Sequence, residues 1–209
     1  MLAVTVSFFG RINSLAQTVL KITSPGLPDF YQGSELTALT LVDPDNRRHV
    51  DFDAAAGHLD VLERLQGSPR GLLWERDWAA SKLYVIRKLL QLRRDDPELF
   101  ARGDYQALPI DGPRKEHVFA FARTYENRSC VVIVPRWSAK LMDAVNELPL
   151  GARVWGDTKI SLTNGLAATR ATDVFTDREV AIEGEQGART LSVAGVFAEF
   201  PAAVLQLRP

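Results

Sequence analysis

The hydrophobic period of this chain changes at Asp104, and that change limits the folds open to it more than any other feature. Before Asp104 the apolar residues recur at helical spacing. Ile12, Leu15, Ala16, Val19 and Leu20 make one stripe, and Leu83, Ile86, Leu89 and Leu90 make another. After it come short runs rich in β-branched and aromatic residues: Val118 to Thr124, Cys130 to Val134, Glu179 to Ile182, Thr190 to Val193 and Ala203 to Leu207. Turn-forming clusters at Glu126-Asn127-Arg128, Thr163-Asn164-Gly165 and Glu183-Gly184-Glu185 separate these runs, the pattern of an antiparallel β-sandwich. The expected fold is α+β in two parts, 1–103 and 104–209.

Local signals set the expected ends of the helices. The first must stop near Ser24-Pro25-Gly26, because proline cannot continue it. Asp53 reads as the N-cap of a helix from Ala54 to Leu65, with Gly67 just past its end. The helix over 78–94 places Lys82, Arg87, Lys88, Arg93 and Arg94 largely off its apolar stripe, and its basic C-terminal end suits the helix dipole. Asp96-Pro97 then opens a last short turn ending at Gly103.

Between the first two helices the run Ser24-Pro25-Gly26-Leu27-Pro28-Asp29-Phe30-Tyr31-Gln32-Gly33-Ser34-Glu35-Leu36 reads as one buried strand opening into a loop. That loop is crowded with hydrogen-bonding groups. Tyr31, Gln32, Glu35, Asp43, Asp45, Asn46, Arg47 and Arg48 supply an aromatic face, carboxylates, amides and guanidinium forks, the means of gripping a polyhydroxylated ligand such as a sugar. The plainer alternative is that Asp43-Pro44-Asp45-Asn46 is a turn and the arginines are surface ion-pair partners.

Composition narrows the function classes. With 25 basic and 26 acidic residues the chain has a net charge of -1, which leaves no electrostatic footprint for nucleic acid or for an anionic membrane. No apolar run approaches the roughly 20 residues of a membrane helix, and residues 1–9 lack the basic start and cleavage site of a signal peptide, so a cytoplasmic location is expected. Cys130, the only cysteine, sits in Cys-Val-Val-Ile-Val and reads as a buried strand residue. Adjacent carboxylates at Asp43 and Asp45, and at Asp95 and Asp96, suit a turn and a helix start better than an acid/base pair. His49, His58 and His117 lack metal-ligand spacing, no glycine-rich phosphate loop appears, and no cofactor is expected.

The segment Pro25 to Glu35 resembles the region around the eighth barrel strand of the alpha-amylase superfamily, glycoside hydrolase family 13. Within that superfamily, Asn13 to Lys21, Leu41-Val42-Asp43-Pro44-Asp45-Asn46-Arg47-Arg48, Lys82-Leu83, Leu92-Arg93-Arg94, Leu99 to Tyr105, Val134-Pro135-Arg136 and Trp155-Gly156-Asp157-Thr158 are similar to the maltooligosyl trehalose synthases. Where that family has proline after the arginine pair, this chain has His49.

The resemblance implies the C-terminal end of a (β/α)8 barrel over 1–103, helices plus the last strand, followed by a C-terminal β-sandwich domain over 104–209. A complete barrel is typically about 250 residues, so the chain reads as a fragment or as one partner of a split enzyme. The implied activity converts the reducing-end α-1,4 linkage of maltooligosaccharides to α,α-1,1 by intramolecular transglycosylation. The three carboxylates of that retaining chemistry fall upstream of the matching segment, so no catalytic residue is assigned and the chain alone is expected to be inactive. Substrate-site residues implied by the resemblance are Tyr31, Gln32, Glu35, Asp43, Asn46, Arg47 and Arg48. Two roles stay open for Glu35, a hydrogen bond to sugar or an ion pair that pins the loop; the arginines either touch sugar or orient carboxylates. The implied partners are a maltooligosaccharide, the missing N-terminal barrel portion and a second copy across the exposed barrel face. The other function class is a stand-alone carbohydrate-binding or structural module using exposed aromatics such as Trp137 and Trp155, which solvent exposure would separate from core residues.

Overall fold

A computed structural model describes residues 2–37, 42, 44, 47–64, 69–74, 77–142, 147–162, 166, 168–185 and 187–208. Its first helix, α1 (Leu2–Thr23), buries Ile12, Leu15, Ala16 and Val19 of the expected stripe, while Leu20 is half-buried and Ile22 is the residue that continues the buried face. The helix ends where Pro25 makes continuation impossible, with the Ser24 amide still donating to the Leu20 carbonyl at 2.9 Å. Next come α2 (Phe52–Arg64), the short α3 (Arg70–Trp74), α4 (Trp78–Asp95) and α5 (Pro97–Ala101).

The caps correct one expectation. Asp51, not Asp53, caps α2: its Oδ1 accepts from the Ala54 amide at 2.8 Å, and Asp53 lies inside the first turn. Both aspartates offer a capping oxygen, and the chain entering from Val50 decides which of them stands outside the helix. The expected end of α2 at Leu65 and Gly67 lies outside the described residues. Asp77 caps α4 through the Ala80 amide at 2.9 Å, and Pro97 opens α5.

Two antiparallel sheets form from Asp104 onward. The larger has strand order β1 (Asp104–Ala107), β3 (Val118–Tyr125), β4 (Arg128–Pro135), β10 (Ala203–Arg208), β6 (Arg170–Asp173), β7 (Glu179–Val180). The smaller is β2 (Ile110–Asp111), β5 (Lys159–Ser161), β9 (Thr190–Ser192), β8 (Ile182–Glu183). Short helical segments α6 (Ser138–Leu141), α7 (Gly151–Trp155) and α8 (Val193–Val196) fill the connections. The run Glu179 to Ile182, expected as one strand, is divided between the sheets: Val180 pairs with Ala171, and Ile182 pairs with Leu191. Likewise Val193 is no strand residue; Ser192 caps the turn that begins there. The expected turn Thr163-Asn164-Gly165 lies outside the described residues.

The buried strand expected within the run Ser24 to Leu36 does not form. Leu27 is 93% exposed, and no hydrogen-bonded neighbour strand flanks it among the described residues. A strand is defined by its partners, because an unpaired row of amides and carbonyls gains nothing from extension.

One apolar core runs through both halves. α1 packs against α4 and against β4, whose Val131, Val132, Ile133 and Val134 are buried along with Cys130. Arg123 of β3 is 1% exposed and fastens the helices to the sheet. Its Nη1 donates to the Thr23 carbonyl at 3.0 Å, its Nη2 to those of Phe100 (3.1 Å) and Gly103 (2.8 Å), and its Nε to that of Asp104 at 3.2 Å. These are carbonyls at the C-terminal ends of α1 and α5 and the start of β1, groups that a helix end leaves without an internal partner. Gly103 is sterically required there, since a Cβ would stand 2.1 Å from the Leu99 carbonyl oxygen.

Candidate sugar-binding pocket

The motif loop is built on a tight turn. The Ser34 amide donates to the Tyr31 carbonyl at 3.0 Å, and Gly33 takes φ 81 at the third position, the conformation a type II turn demands of glycine. A Cβ on Gly33 would also meet Val50 Cγ2 at 3.0 Å, so this glycine lets the turn lie against the Val50 segment that leads into α2. Together the turn, the Arg48–Phe52 segment and the first turns of α2 line a half-open cavity of about 720 Å³. That is ample for an oligosaccharide end.

Tyr31, Gln32, Glu35 and Arg48 all line it. Tyr31 and Gln32 are exposed and Glu35 is half-buried. His49, which stands where the resemblance has proline, lines it too. Arg47 lies beside the pocket in a turn whose amide donates to the Pro44 carbonyl at 3.3 Å, and it does not contribute to the lining. Asp43 and Asn46 lie outside the described residues.

Sequence reasoning missed the residue that fixes the loop. Lys82 of α4 donates from Nζ to the carbonyls of Ser34 (2.6 Å) and Leu36 (3.0 Å), the residues on either side of Glu35. Burial pushes its ammonium below the usual lysine value; the Glu35 carboxylate opposes that shift and Lys21 adds to it. The available signal was the spacing from Trp78, four residues earlier on a buried face of α4. Arg93 extends the clamp, donating from Nη1 to the Ile22 carbonyl at 2.7 Å and from Nη2 to that of Gly26 at 3.1 Å, and Lys21 sits 4.3 Å over the Phe30 ring. Residues 22–36 are therefore held by cations, not by strand pairing.

Such a pocket can hold, orient and hydrogen-bond a polyol. Among the described residues no group of three or more His, Cys, Asp or Glu is placed to hold a metal ion. Among the described residues no helix is long and apolar enough to cross a membrane. The two tryptophans differ. Trp155 is fully buried, its Nε1 donating to the Pro149 carbonyl at 2.8 Å, so it is a core residue; Trp137 is 51% exposed.

The fold of this chain recurs as part of solved alpha-amylase structures. The structure of an alpha-amylase from Geobacillus thermoleovorans complexed with acarbose superposes over 95% of this chain and 34% of its own, with TM-score 0.57 at 20% identity. Its nearer kin are more specific. A protein of Mycobacterium tuberculosis named maltooligosyl trehalose synthase is 35% identical over 173 residues, 81% of this chain and 20% of that protein. A mutant maltooligosyltrehalose synthase from Arthrobacter ramosus aligns in structure over 95% of this chain and 22% of its own, with TM-score 0.73 and 34% identity. The chain is thus a homologue of the maltooligosyl trehalose synthases and spans about one fifth of their length. No protein-family profile matches it.

Proposed function

We propose that this chain is the C-terminal part of a maltooligosyl trehalose synthase, with 1–103 closing the end of a (β/α)8 barrel and 104–209 forming the C-terminal β domain. The reaction turns the reducing-end α-1,4 linkage of a maltooligosaccharide into α,α-1,1 by intramolecular transglycosylation. The observation that carries this reading is the cavity itself: Tyr31, Gln32, Glu35 and Arg48, drawn from the segments that resemble the family, line one pocket of sugar size.

In a retaining mechanism one carboxylate attacks the anomeric carbon while a carboxylic acid protonates the leaving oxygen, and the freed sugar then returns as nucleophile. On this reading those groups belong to the four-fifths of the relatives' length that the chain does not span. The work of the present residues is retention: the released glucose must turn over without escaping, and a largely apolar, half-open pocket that carries a few hydrogen-bonding groups raises its effective concentration beside the intermediate. Tyr31 offers a ring face and a hydroxyl, Gln32 an amide, and Glu35 a carboxylate that Lys82 holds in place by fixing the residues on either side. By the family resemblance Asp43, Asn46, Arg47 and Arg48 are assigned to the substrate site as well. Partners follow from the same reading: a maltooligosaccharide, the N-terminal barrel portion and a second copy over the apolar side chains of Leu2, Val4 and Val6, which are exposed. A cytoplasmic site of action belongs to it as well.

The test is incubation with maltopentaose and chromatography of the products, for this chain alone and for this chain mixed with a separately expressed N-terminal barrel portion of a synthase. Maltooligosyl trehalose is expected only from the mixture. Turnover by the isolated chain that survives purification and disappears on mutating one of its carboxylates overturns the reading.

A further inference from the structure

We propose that Phe52, together with Tyr31, forms the stacking walls of the pocket, so that the sugar held there is gripped by its ring faces and left free to turn. Phe52 opens α2, and its backbone is set from both sides. Its amide donates to the Val50 carbonyl at 3.1 Å, the Ala55 amide donates to the Asp51 carbonyl at 3.2 Å, and Asp51 Oδ1 caps the helix at Ala54. Val50 in turn lies against Gly33, which ties this corner to the turn that carries Tyr31. Both rings nevertheless stay out of the core: Phe52 is 60% exposed, Tyr31 is 54% exposed, and both line the cavity. Among the described residues no cation and no other ring lies over either of them, whereas the neighbouring Phe30 carries Lys21 over its ring.

The rest of the wall is apolar as well. Ala55 and Leu59 follow Phe52 on the same face of α2 and line the same cavity, as do Leu36 and Leu83, while Leu62 is the residue that α2 buries. An apolar stripe that the core does not take up, and that borders a pocket with a few convergent polar groups, is a ligand surface. A pyranose offers C–H groups on its faces and hydroxyls around its edge. The two aromatic rings suit the former, and Gln32, Glu35 and His49 offer hydrogen bonds to the latter. The two kinds of contact differ in what they permit. A hydrogen bond has a preferred direction and holds a sugar in one orientation, whereas apolar contact is non-directional and lets the ring slide in its own plane. A glucose freed at its 4-oxygen must return with its 1-oxygen, and these lie at opposite ends of the ring, so a half-turn in the ring plane exchanges them. That turning role rests on the synthase reading above; the stacking site does not.

Amide NMR titration of the 209-residue chain with maltose tests the walls, with sorbitol, an acyclic polyol that has no ring face, as control. Saturable shifts are expected at Gly33 and Ser34 with maltose and none with sorbitol. Phe52→Ala should weaken maltose binding about fivefold or more, and Phe52→Tyr, which keeps the ring face, by less than about twofold. Both variants should melt as wild type does, because the side chain is largely exposed. When freed glucose escapes, water attacks the glycosyl-enzyme in its place and gives its proton to the same base, leaving glucose and a maltooligosaccharide one unit shorter. In the mixture with the barrel portion Phe52→Ala should therefore raise the ratio of free glucose to maltooligosyl trehalose about threefold or more, while a merely structural residue would lower both together. No saturable shift in wild type, equal shifts with sorbitol, maltose affinity of Phe52→Ala equal to wild type, or an unchanged product ratio overturns the proposal. If Tyr31→Ala abolishes maltose binding and Phe52→Ala leaves it intact, the pocket stands and this proposal falls. If maltose binding needs Phe52 but the mixture forms no trehalose linkage, the stacking walls stand and the synthase reading falls.

Discussion

Replacing Arg123 with methionine should cost more stability than any other single polar substitution in the sheet, because one guanidinium serves four carbonyls. The bonds to Thr23 and Phe100 are buried, and those to Gly103 and Asp104 are partly buried. In the methionine variant water can reach the latter pair but not the former. Two stranded buried carbonyls cost about 1 to 3 kcal/mol each. Against this, removing the guanidinium recovers part of the desolvation penalty that a buried ion carries, and methionine fills much of the same space. A net loss of about 2 to 4 kcal/mol follows, a large share of the roughly 5 to 15 kcal/mol of a typical domain. With a urea slope of about 2 kcal/mol per molar, the denaturation midpoint should fall by about 1 to 2 M with the slope unchanged. Arg123→Lys should lie between, since an ammonium with three donors cannot span carbonyls that a planar fork reaches together. Hydrogen exchange should locate the loss at the last turn of α1. A midpoint shift for Arg123→Met of less than about 0.3 M would refute the reasoning, since in that case the carbonyls find other partners.

Asp173 is buried and its carboxyl is pushed up from 3.8 to about 6, chiefly by burial, although it accepts from the amides of Phe175, Thr176 and Val204 and from the Thr176 hydroxyl. A folded value above the unfolded one means that the native state holds the proton more tightly, so stability should fall by about 3 kcal/mol as pH rises from about 4 to about 6 and level off above; Asp173→Asn should flatten that slope in thermal melts across the window. Lys82→Met should loosen the motif turn, lowering amide protection at Ser34 about tenfold or more in hydrogen exchange, while unchanged protection there would show that the turn holds itself. In the complete enzyme Glu35→Gln and Tyr31→Phe should each lower kcat/KM by about 1 to 3 kcal/mol with the fold intact, and wild-type kinetics in both would mean that the loop does not touch sugar. Asp51→Ala should cost about 1 kcal/mol in a urea melt through loss of the α2 cap, and Asp53→Ala clearly less.

Sequence alone was enough wherever the cause is local. The stripes of α1 and α4 follow from helical periodicity except at their edges, where Leu20 is half-buried and Leu90 is 42% exposed; the ends at Pro25 and Pro97 follow from ring chemistry, and β3, β4 and β10 from short runs of apolar residues. Four lining residues of the pocket lie within 18 positions of one another, Tyr31 to Arg48, so their grouping was legible as well. Only the tertiary structure decided the rest, because the deciding partners lie far away along the chain. β1 is exposed at every residue and exists through its pairing with β3, which no pattern of burial could announce. The run Ser24 to Leu36 reads as a strand opening into a loop and lacks the neighbours that would make any of it a strand. Trp137 and Trp155 look alike in the sequence, and position relative to the sheets buries one and exposes the other. Lys82 acts 46 and 48 residues away, and Arg123 up to 100 residues away. A long cationic side chain carries no mark of which carbonyls it will meet; the packing of α1, α4 and α5 on the sheet brings those oxygens together, and burial then makes the charge answer for them.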